Sequence, residues 1–226
     1  RRGKTLRRLA GDDAAVNEEW NCDKGRWAFK YVTAVDRLTS PMVRGADGVL
    51  APASWPEALA AAAAGIKGKR AAVLVGGRAT TEDAYGYSKF ARIALGTNDI
   101  DFRTRVTSDE ERDFLAAKIV GSTTTYRDID VADHVVLIGF EPEEESPIVF
   151  LRINKQVRKR ALKVSAVATK LSIGVEKLKA NFIKVAPGSE SAAVTSLELT
   201  AKSIILIGER ASETAGLLST IASVTE

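Results

Sequence analysis

The feature that most constrains the fold is a regular alternation of short apolar segments with capped helical stretches, from Ser54 to the end of the chain. The helical stretches follow Ser54, Thr80 and Ser108, and each of these residues precedes an acidic residue by three positions, as in a capping box. The predicted strands are residues 71–75, 135–138, 162–167, 181–185 and 204–207. This alternation predicts an α/β fold with a mostly parallel sheet in three layers, Rossmann-like in architecture.

Three of the predicted strands end directly in glycine, at Gly76, Gly139 and Gly208. In open parallel sheets, ligands bind in the crevice outside the carboxyl ends of the strands. The crevice at these three glycines is therefore the default pocket. An ordinary nicotinamide site is disfavoured, because the Gly-x-Gly-x-x-Gly pattern is absent and residues 76–81 lack its third glycine.

Composition excludes several classes of protein. The 33 basic and 29 acidic residues are interspersed and aromatic residues are few, which argues against a nucleic-acid partner. A single cysteine excludes an internal disulfide framework and favours a reducing compartment. No apolar run approaches the roughly 18 residues that a membrane-spanning helix needs. We therefore expect a soluble, cytoplasmic chain without a membrane span.

The first 50 residues differ from the remainder. They are rich in glycine, aspartate and arginine, and they contain too few apolar residues for a core of their own. Residues 4–9 predict a strand that runs into a turn at residues 11–13, and residues 41–52 predict the passage into the next domain. We expect a small module at residues 1–50 and an α/β domain at residues 51–226, both belonging to a longer protein.

The lone cysteine, Cys22, stands in the run CDKGRW at residues 22–27. A single cysteine can be merely a small buried apolar residue. Here Lys24 and Arg26 favour the thiolate, which is the form that binds metal. One thiolate cannot hold a cluster alone, so Cys22 is a candidate ligand whose partners lie outside this chain.

Two other groups carry weaker signals. The acidic residues 143–145 precede a helix whose far end is basic, through Lys155, Arg158, Lys159 and Arg160. Both charge groups complement the helix dipole, and the basic group could also face an acidic partner. His134, the sole histidine, lacks a visible nucleophile or ligand partner and is interpreted as structural.

The run at residues 22–27 resembles the fourth-cysteine segment of the iron–sulfur domain that opens the molybdopterin oxidoreductase superfamily. Within it, residues 16–20 are similar to the large iron–sulfur subunits of bacterial NADH-quinone oxidoreductase, respiratory complex I. The resemblance covers residues 4 to about 168 well. Its further motifs are residues 37–44, 53–59, 85–105 and 129–139.

This resemblance implies that Cys22 is one of four ligands of a [4Fe–4S] cluster in the full-length subunit, with three cysteines upstream of Arg1. It implies that residues 1–50 are the remnant of that cluster domain and that Lys24 lies near the cluster and tunes it. The metal-binding side chain of active members corresponds to a position near Thr107. Since a hydroxyl is a poor ligand for a soft metal, molybdopterin is not expected.

The resemblance further implies electron transfer from NADH to quinone through iron–sulfur clusters, with this segment mainly structural and not itself catalytic. The implied partners are other complex I subunits, on the cytoplasmic side of the bacterial inner membrane. Two alternatives remain open: a fragment of an active molybdopterin oxidoreductase, similar to formate dehydrogenase or nitrate reductase, and a plain nucleotide-binding module.

Overall fold

The structure is a computed structural model that describes residues 11, 13–77, 79–103 and 105–225. The chain forms two compact units. The first consists of residues up to Phe29 together with those from Thr107 onward, and the second of Lys30–Val106. The predicted domain boundary at residue 50 lies within the second unit and stays a prediction. The predicted strand at residues 4–9 lies outside the described residues.

The strands are β1 (Met42–Arg44), β2 (Leu50–Pro52), β3 (Val73–Leu74), β4 (Ile100–Asp101), β5 (His134–Ile138), β6 (Lys163–Ala168), β7 (Asn181–Lys184) and β8 (Ser203–Ile207). The α-helices are α1 (Asp23–Trp27), α2 (Trp55–Ile66), α3 (Thr81–Phe90), α4 (Asp109–Phe114), α5 (Pro142–Glu145), α6 (Pro147–Arg160), α7 (Ile173–Lys177), α8 (Glu190–Thr195) and α9 (Leu217–Val224). Wider π turns continue two helices at Ala91–Leu95 and Leu115–Ile119. Short 3₁₀ segments lie at Ala28–Thr33, Tyr126–Asp130 and Glu209–Glu213.

The first unit is built on a parallel sheet whose described strands stand in the order β7, β6, β5, β8. His134 is paired with Lys163 on one side and with Ser203 on the other, and the register continues to Ile138. The strand order reverses between β5 and β8, because β6 and β7 extend one side and the chain then returns to the other. The predicted α/β fold with a mostly parallel sheet is confirmed.

Alternate residues of β5 contact two separate hydrophobic clusters, one on each face of the sheet. Val135 and Leu137 pack with residues of α6 and α7, whereas Val136 and Ile138 pack with residues of α4, α8 and α9. A strand covered on both faces is a continuous apolar run, which explains why all five residues of β5 are buried. The sheet is therefore the middle of three layers.

The second unit contains two small sheets. β1 and β2 form an antiparallel hairpin at the predicted passage, while β3 and β4 pair in parallel. Of its described residues, Ala91 alone is buried. The crevice predicted at Gly76, Gly139 and Gly208 does not form along one sheet. Among the described residues β3, which precedes Gly76, pairs with β4, whereas Gly139 and Gly208 follow strands of the four-stranded sheet.

The predicted helix caps at Ser54, Thr80 and Ser108 are confirmed, since each side chain accepts a hydrogen bond from the backbone three residues later. Two apolar side chains of these helical stretches are exposed. Ile119 is 48% exposed, because the turn widens after Phe114 and shifts the residues that follow. Tyr87 is also exposed. The last described helix, α9, ends at Val224.

Candidate functional site

Cys22 caps the N-terminus of α1. Its backbone is extended, and its Sγ accepts a hydrogen bond from the backbone N–H of Gly25 at 3.4 Å. The side chain is half-buried and is a free thiol. The first turn of α1 therefore holds this sulfur in place.

A groove of about 390 Å³ opens at Cys22 within the first unit. One wall is the N-terminal segment with Trp20, and the opposite wall is the start of α6 with Pro147 and Leu151. The sulfur is therefore neither sealed among aliphatic side chains nor fully exposed. It is accessible to a group that approaches from outside these residues.

Lys24 binds the α/β scaffold. Its Nζ donates a hydrogen bond to the backbone carbonyl of Glu144 at 2.6 Å and lies 3.3 Å from that residue's carboxylate. The predicted role of Lys24 beside a cluster stays a prediction. The contact between Lys24 and Glu144 attaches the segment after Cys22 to α5.

The acidic residues of α5 each pair with a cation from a different element. Glu143 binds Lys177 of α7 at 2.6 Å, Glu144 binds Lys24, and Glu145 binds Arg210 at 3.0 Å. Sequence reasoning assigned this group to the helix dipole and missed the pairing, because the partners are distant in sequence. The group joins three segments, and the part of the chain that the structure describes holds no metal site there.

Arg152 of α6 is a buried cation, with only 3% of its side chain exposed. Its Nη1 donates to Asp130 at 2.6 Å and lies 3.2 Å from Glu18. Its Nη2 donates to three backbone carbonyls of the N-terminal segment, those of Ala14, Ala15 and Val16, at 3.1, 3.3 and 3.1 Å. A buried charge is tolerated when it is paired and hydrogen-bonded, as both terminal nitrogens of Arg152 are here.

Glu18 is the point at which the N-terminal segment contacts α6 by charge. Lys155 donates to its carboxylate at 2.5 Å. This hydrogen bond is the main cause that lowers the pKa of Glu18 below its ordinary value of 4.5. Burial by itself would raise the pKa, and the charge of Arg152 lowers it further. Sequence reasoning missed Arg152 and Glu18. The available signal was that Arg152 and Gln156 share a helical face with the buried Val149 and Ile153.

The crevice at the strand ends is small. It holds about 120 Å³ beside Gly139 and Arg210. A Cβ at Gly208 would lie 2.2 Å from the carbonyl oxygen of Gly139, and one at Gly139 would lie 2.9 Å from the nitrogen of Ala211. These two glycines therefore permit backbone segments to pack against each other at the point where the strand order reverses.

His134 is buried at the start of β5, and its Nε2 lies 2.9 Å from the Ser165 hydroxyl of β6. Burial lowers the pKa of His134 below its usual 6.5, and the charge of Lys163 lowers it further. A neutral ring bonded between two strands fits the structural interpretation. Thr107, the predicted counterpart of a metal-binding side chain, is half-buried directly before the cap of α4.

Among the described residues, no three histidine, cysteine or acidic side chains converge as a metal site. Cys22 accordingly stands as a single donor in this part of the chain. Within the same residues, every helix is too short or too polar to cross a bilayer.

The sequence profile that describes molybdopterin oxidoreductases matches residues 37–224. The G subunit of NADH-quinone oxidoreductase from Mycobacterium tuberculosis is 51% identical over 241 aligned positions, which cover 100% of this chain and 30% of that protein. The corresponding G subunit from Streptomyces coelicolor is 52% identical over 209 positions, covering 84% of this chain and 25% of the relative. The alpha subunit of the F420-dependent formate dehydrogenase from Methanocaldococcus jannaschii is 29% identical over 187 positions, covering 80% and 27%.

The chain thus spans 30% or less of the length of these relatives. Its similarity to them extends through both compact units, and the profile match includes the whole four-stranded sheet. On this match, the chain belongs to the molybdopterin oxidoreductase family.

Proposed function

We propose that this chain is part of the large iron–sulfur subunit of a bacterial NADH-quinone oxidoreductase, respiratory complex I. In that assembly electrons pass from NADH to quinone through iron–sulfur clusters. The observation that carries the proposal is the 51% identity to the G subunit of the Mycobacterium tuberculosis enzyme over the whole of this chain. Identity falls to 29% for the formate dehydrogenase relative, which makes an active enzyme of that kind the weaker candidate.

Within that subunit, Cys22 is proposed as one of four thiolate ligands of a [4Fe–4S] cluster. The fit rests on its position at a helix N-terminus, its N–H···S hydrogen bond from Gly25 and the groove beside it. When bound, the cluster supplies one-electron transfer. Hydrogen bonds to cluster sulfurs and nearby charge set its potential, so Gly25 and Lys24 are proposed to tune it.

The α/β part is proposed as a structural domain that does not use molybdopterin. Small-molecule sites usually measure about 300–1,000 Å³. The crevice at the strand ends of the first unit holds about 120 Å³, and Gly139 and Gly208 there pack against backbone. Thr107 offers a hydroxyl where a soft metal requires a softer ligand. These residues do not fit a pterin cofactor, and no chemical step is assigned to one.

The partners are proposed to be other subunits of the complex, with the protein peripheral to the inner membrane on its cytoplasmic side. The exposed basic end of α6, with Arg158 and Lys159, suits an acidic surface on such a partner. No nucleic-acid partner is proposed, because the charges of the chain are interspersed and close to balance.

The test is a Cys22→Ala substitution in the full-length protein, purified without oxygen. We expect the loss of one cluster, about four iron and four sulfide per molecule, together with its EPR signal. Ser122→Ala, a change at an exposed loop residue of the same unit, is the matched control and should keep all clusters. Unchanged iron, sulfide and EPR in the Cys22→Ala protein would disprove the ligand assignment.

Two measurements on the same full-length protein distinguish an active molybdopterin oxidoreductase from the proposed structural role. Molybdenum or tungsten in the metal analysis, with pterin fluorescence after denaturation, would support it. Their absence, with the iron and sulfide of the clusters present, would support the structural role.

A further inference from the structure

The N-terminal segment that leads to Cys22 contacts α6 through the buried side chain of Arg152 and through the ion pair of Lys155 with Glu18. Arg152 uses Nη2 to contact the carbonyls of Ala14, Ala15 and Val16, and Nη1 to contact Asp130 and Glu18. Asp130 also accepts a hydrogen bond from Gln156 at 2.7 Å. Asp130 therefore fixes Nη1 of Arg152, while Nη2 contacts the N-terminal segment.

The three carbonyls belong to one tight turn. The backbone N–H groups of Val16, Asn17 and Glu18 all donate to the carbonyl of Asp13. A single turn leaves its own last carbonyls without partners, and Arg152 supplies donors for them. The planar guanidinium has several donors in a fixed arrangement, which a lysine cannot reproduce.

The turn is followed by a backbone conformation that needs external support. Glu18 and Glu19 have φ of 50° and 68°, in the left-handed region that is unfavourable for residues with a Cβ. Such a conformation persists when surrounding contacts hold it. Here the carboxylate of Glu18 is bound by Lys155 at 2.5 Å and by Arg152 at 3.2 Å.

The two left-handed residues reverse the chain toward Cys22. The side chain of Asn17 spans the reversal, with Nδ2 donating to the carbonyls of Gly11 and Trp20 at 2.6 and 3.0 Å. Beyond Cys22, Lys24 is attached to Glu144 of α5. The sulfur therefore lies between two anchors on the same scaffold, and the upstream anchor depends on Arg152.

We propose that Arg152 is a positioning residue, which holds the Glu18–Glu19 reversal and thereby sets the orientation of the Cys22 thiolate toward a bound cluster. This inference rests on the proposed function. Arg152 does not touch the sulfur, so it acts through the backbone of residues 14–21. Groups that orient metal ligands from outside typically change metal affinity or activity by about 10–100-fold when they are removed.

The experiment uses the full-length protein with Arg152→Gln, Arg152→Lys and Glu18→Gly, each prepared without oxygen. Glu18→Gly removes the carboxylate that Arg152 and Lys155 bind, and it leaves a flexible residue that accepts positive φ. It therefore loosens the reversal without straining the backbone, and it tests the proposal even if Arg152→Gln fails to fold. Arg127→Gln, at an exposed arginine of the same unit, is the control. The measurements are far-UV circular dichroism, iron release to a chelator, the EPR spectrum and the midpoint potential.

For folded Arg152→Gln and Glu18→Gly proteins, we expect iron release about tenfold faster, with altered EPR g-values and a shifted midpoint potential. Arg152→Lys should keep the fold but show the same altered spectrum. Lysine retains the positive charge but lacks the planar guanidinium that donates to several carbonyls. The control should match the unsubstituted protein. A merely structural role would change stability and leave the spectrum and potential of the remaining cluster unaltered.

The failure of this inference is distinguishable from failure of the proposed function. If Cys22→Ala removes the cluster while folded Arg152→Gln and Glu18→Gly keep the normal release rate, spectrum and potential, Arg152 does not position the ligand. If Cys22→Ala leaves the cluster intact, the ligand assignment and this inference both fall.

Discussion

Gly139 and Gly208 lie where the ends of β5 and β8 meet, and packing explains why both are glycine. Any side chain at Gly208 would collide with the carbonyl oxygen of Gly139, a backbone atom that cannot rotate away. The crevice beside these strand ends holds only about 120 Å³. A residue type that suggests a binding loop in the sequence here serves close contact between backbone segments.

We expect Gly208→Ala to lower the free energy of unfolding by about 1–3 kcal/mol, the usual cost of forcing extra volume into a packed site. Gly76→Ala is the control, since a Cβ there meets no heavy atom of the described residues within 4 Å. It should change stability by less than about 0.5 kcal/mol. Urea unfolding followed by circular dichroism measures both, and equal effects would contradict the packing explanation.

At the scale of elements, α9 is capped by a residue far away in sequence. Gly216 stands at its N-terminus without a side chain that could cap it, and the Glu110 carboxylate of α4 accepts from the backbone N–H groups of Gly216 and Ser219, both at 2.8 Å. It also accepts from the Ser219 hydroxyl at 2.9 Å. Burial alone would raise the pKa of Glu110, but these hydrogen bonds outweigh it and lower the pKa below 4.5.

A carboxyl whose pKa is lower in the folded state stabilises the fold above its unfolded pKa, and this contribution is lost as pH falls. We therefore expect Glu110→Gln to be less stable than the unsubstituted protein at pH 7. The difference should shrink as the pH falls below about 4.5, the ordinary value for this carboxyl. Thermal unfolding from pH 7 to pH 3 measures it.

Glu213→Gln removes the same charge from an exposed site in the same unit and serves as the control. Its stability difference from the unsubstituted protein should be small at pH 7. A Glu110→Gln deficit that stayed constant between pH 7 and pH 3 would show that the charge of the carboxylate does not contribute.

At the scale of the whole molecule, the buried apolar residues lie almost entirely in the first unit, in one cluster on each face of the parallel sheet. Ile153 of α6 is fully buried in the cluster that also contains Leu137 and Val175. Ile153, the residue after Arg152, thus fixes α6 against the core. The position of α6, which the Cys22 segment contacts, therefore depends on the packing of the cluster that contains Ile153.

We expect Ile153→Ala to lower the free energy of unfolding by about 2–5 kcal/mol, as large-to-small changes in a closed core do. Val131→Ala removes a comparable apolar group at a position that is 70% exposed, and it should cost less than about 0.5 kcal/mol. Denaturant titration of both proteins tests this, and a small loss for Ile153→Ala would place the stabilising core elsewhere.

Local features of the fold could be predicted from the sequence because their causes are local. The caps at Ser54, Thr80 and Ser108 each depend on residues three positions apart. The apolar run of β5 specified a strand covered on both faces. The family motif around Cys22 indicated its role as a ligand, which stays a prediction.

Only the tertiary structure decided which distant groups meet. Arg152 contacts Ala14 across 138 positions of sequence, and nothing in either local stretch indicates the other. The same holds for the pairing of β3 with β4 apart from the larger sheet, and for the three cations around α5. Periodicity and capping act over a few residues, whereas burial of a charge depends on every segment that surrounds it. The sequence determined the elements of this protein, and the packing of those elements determined where Cys22 is held.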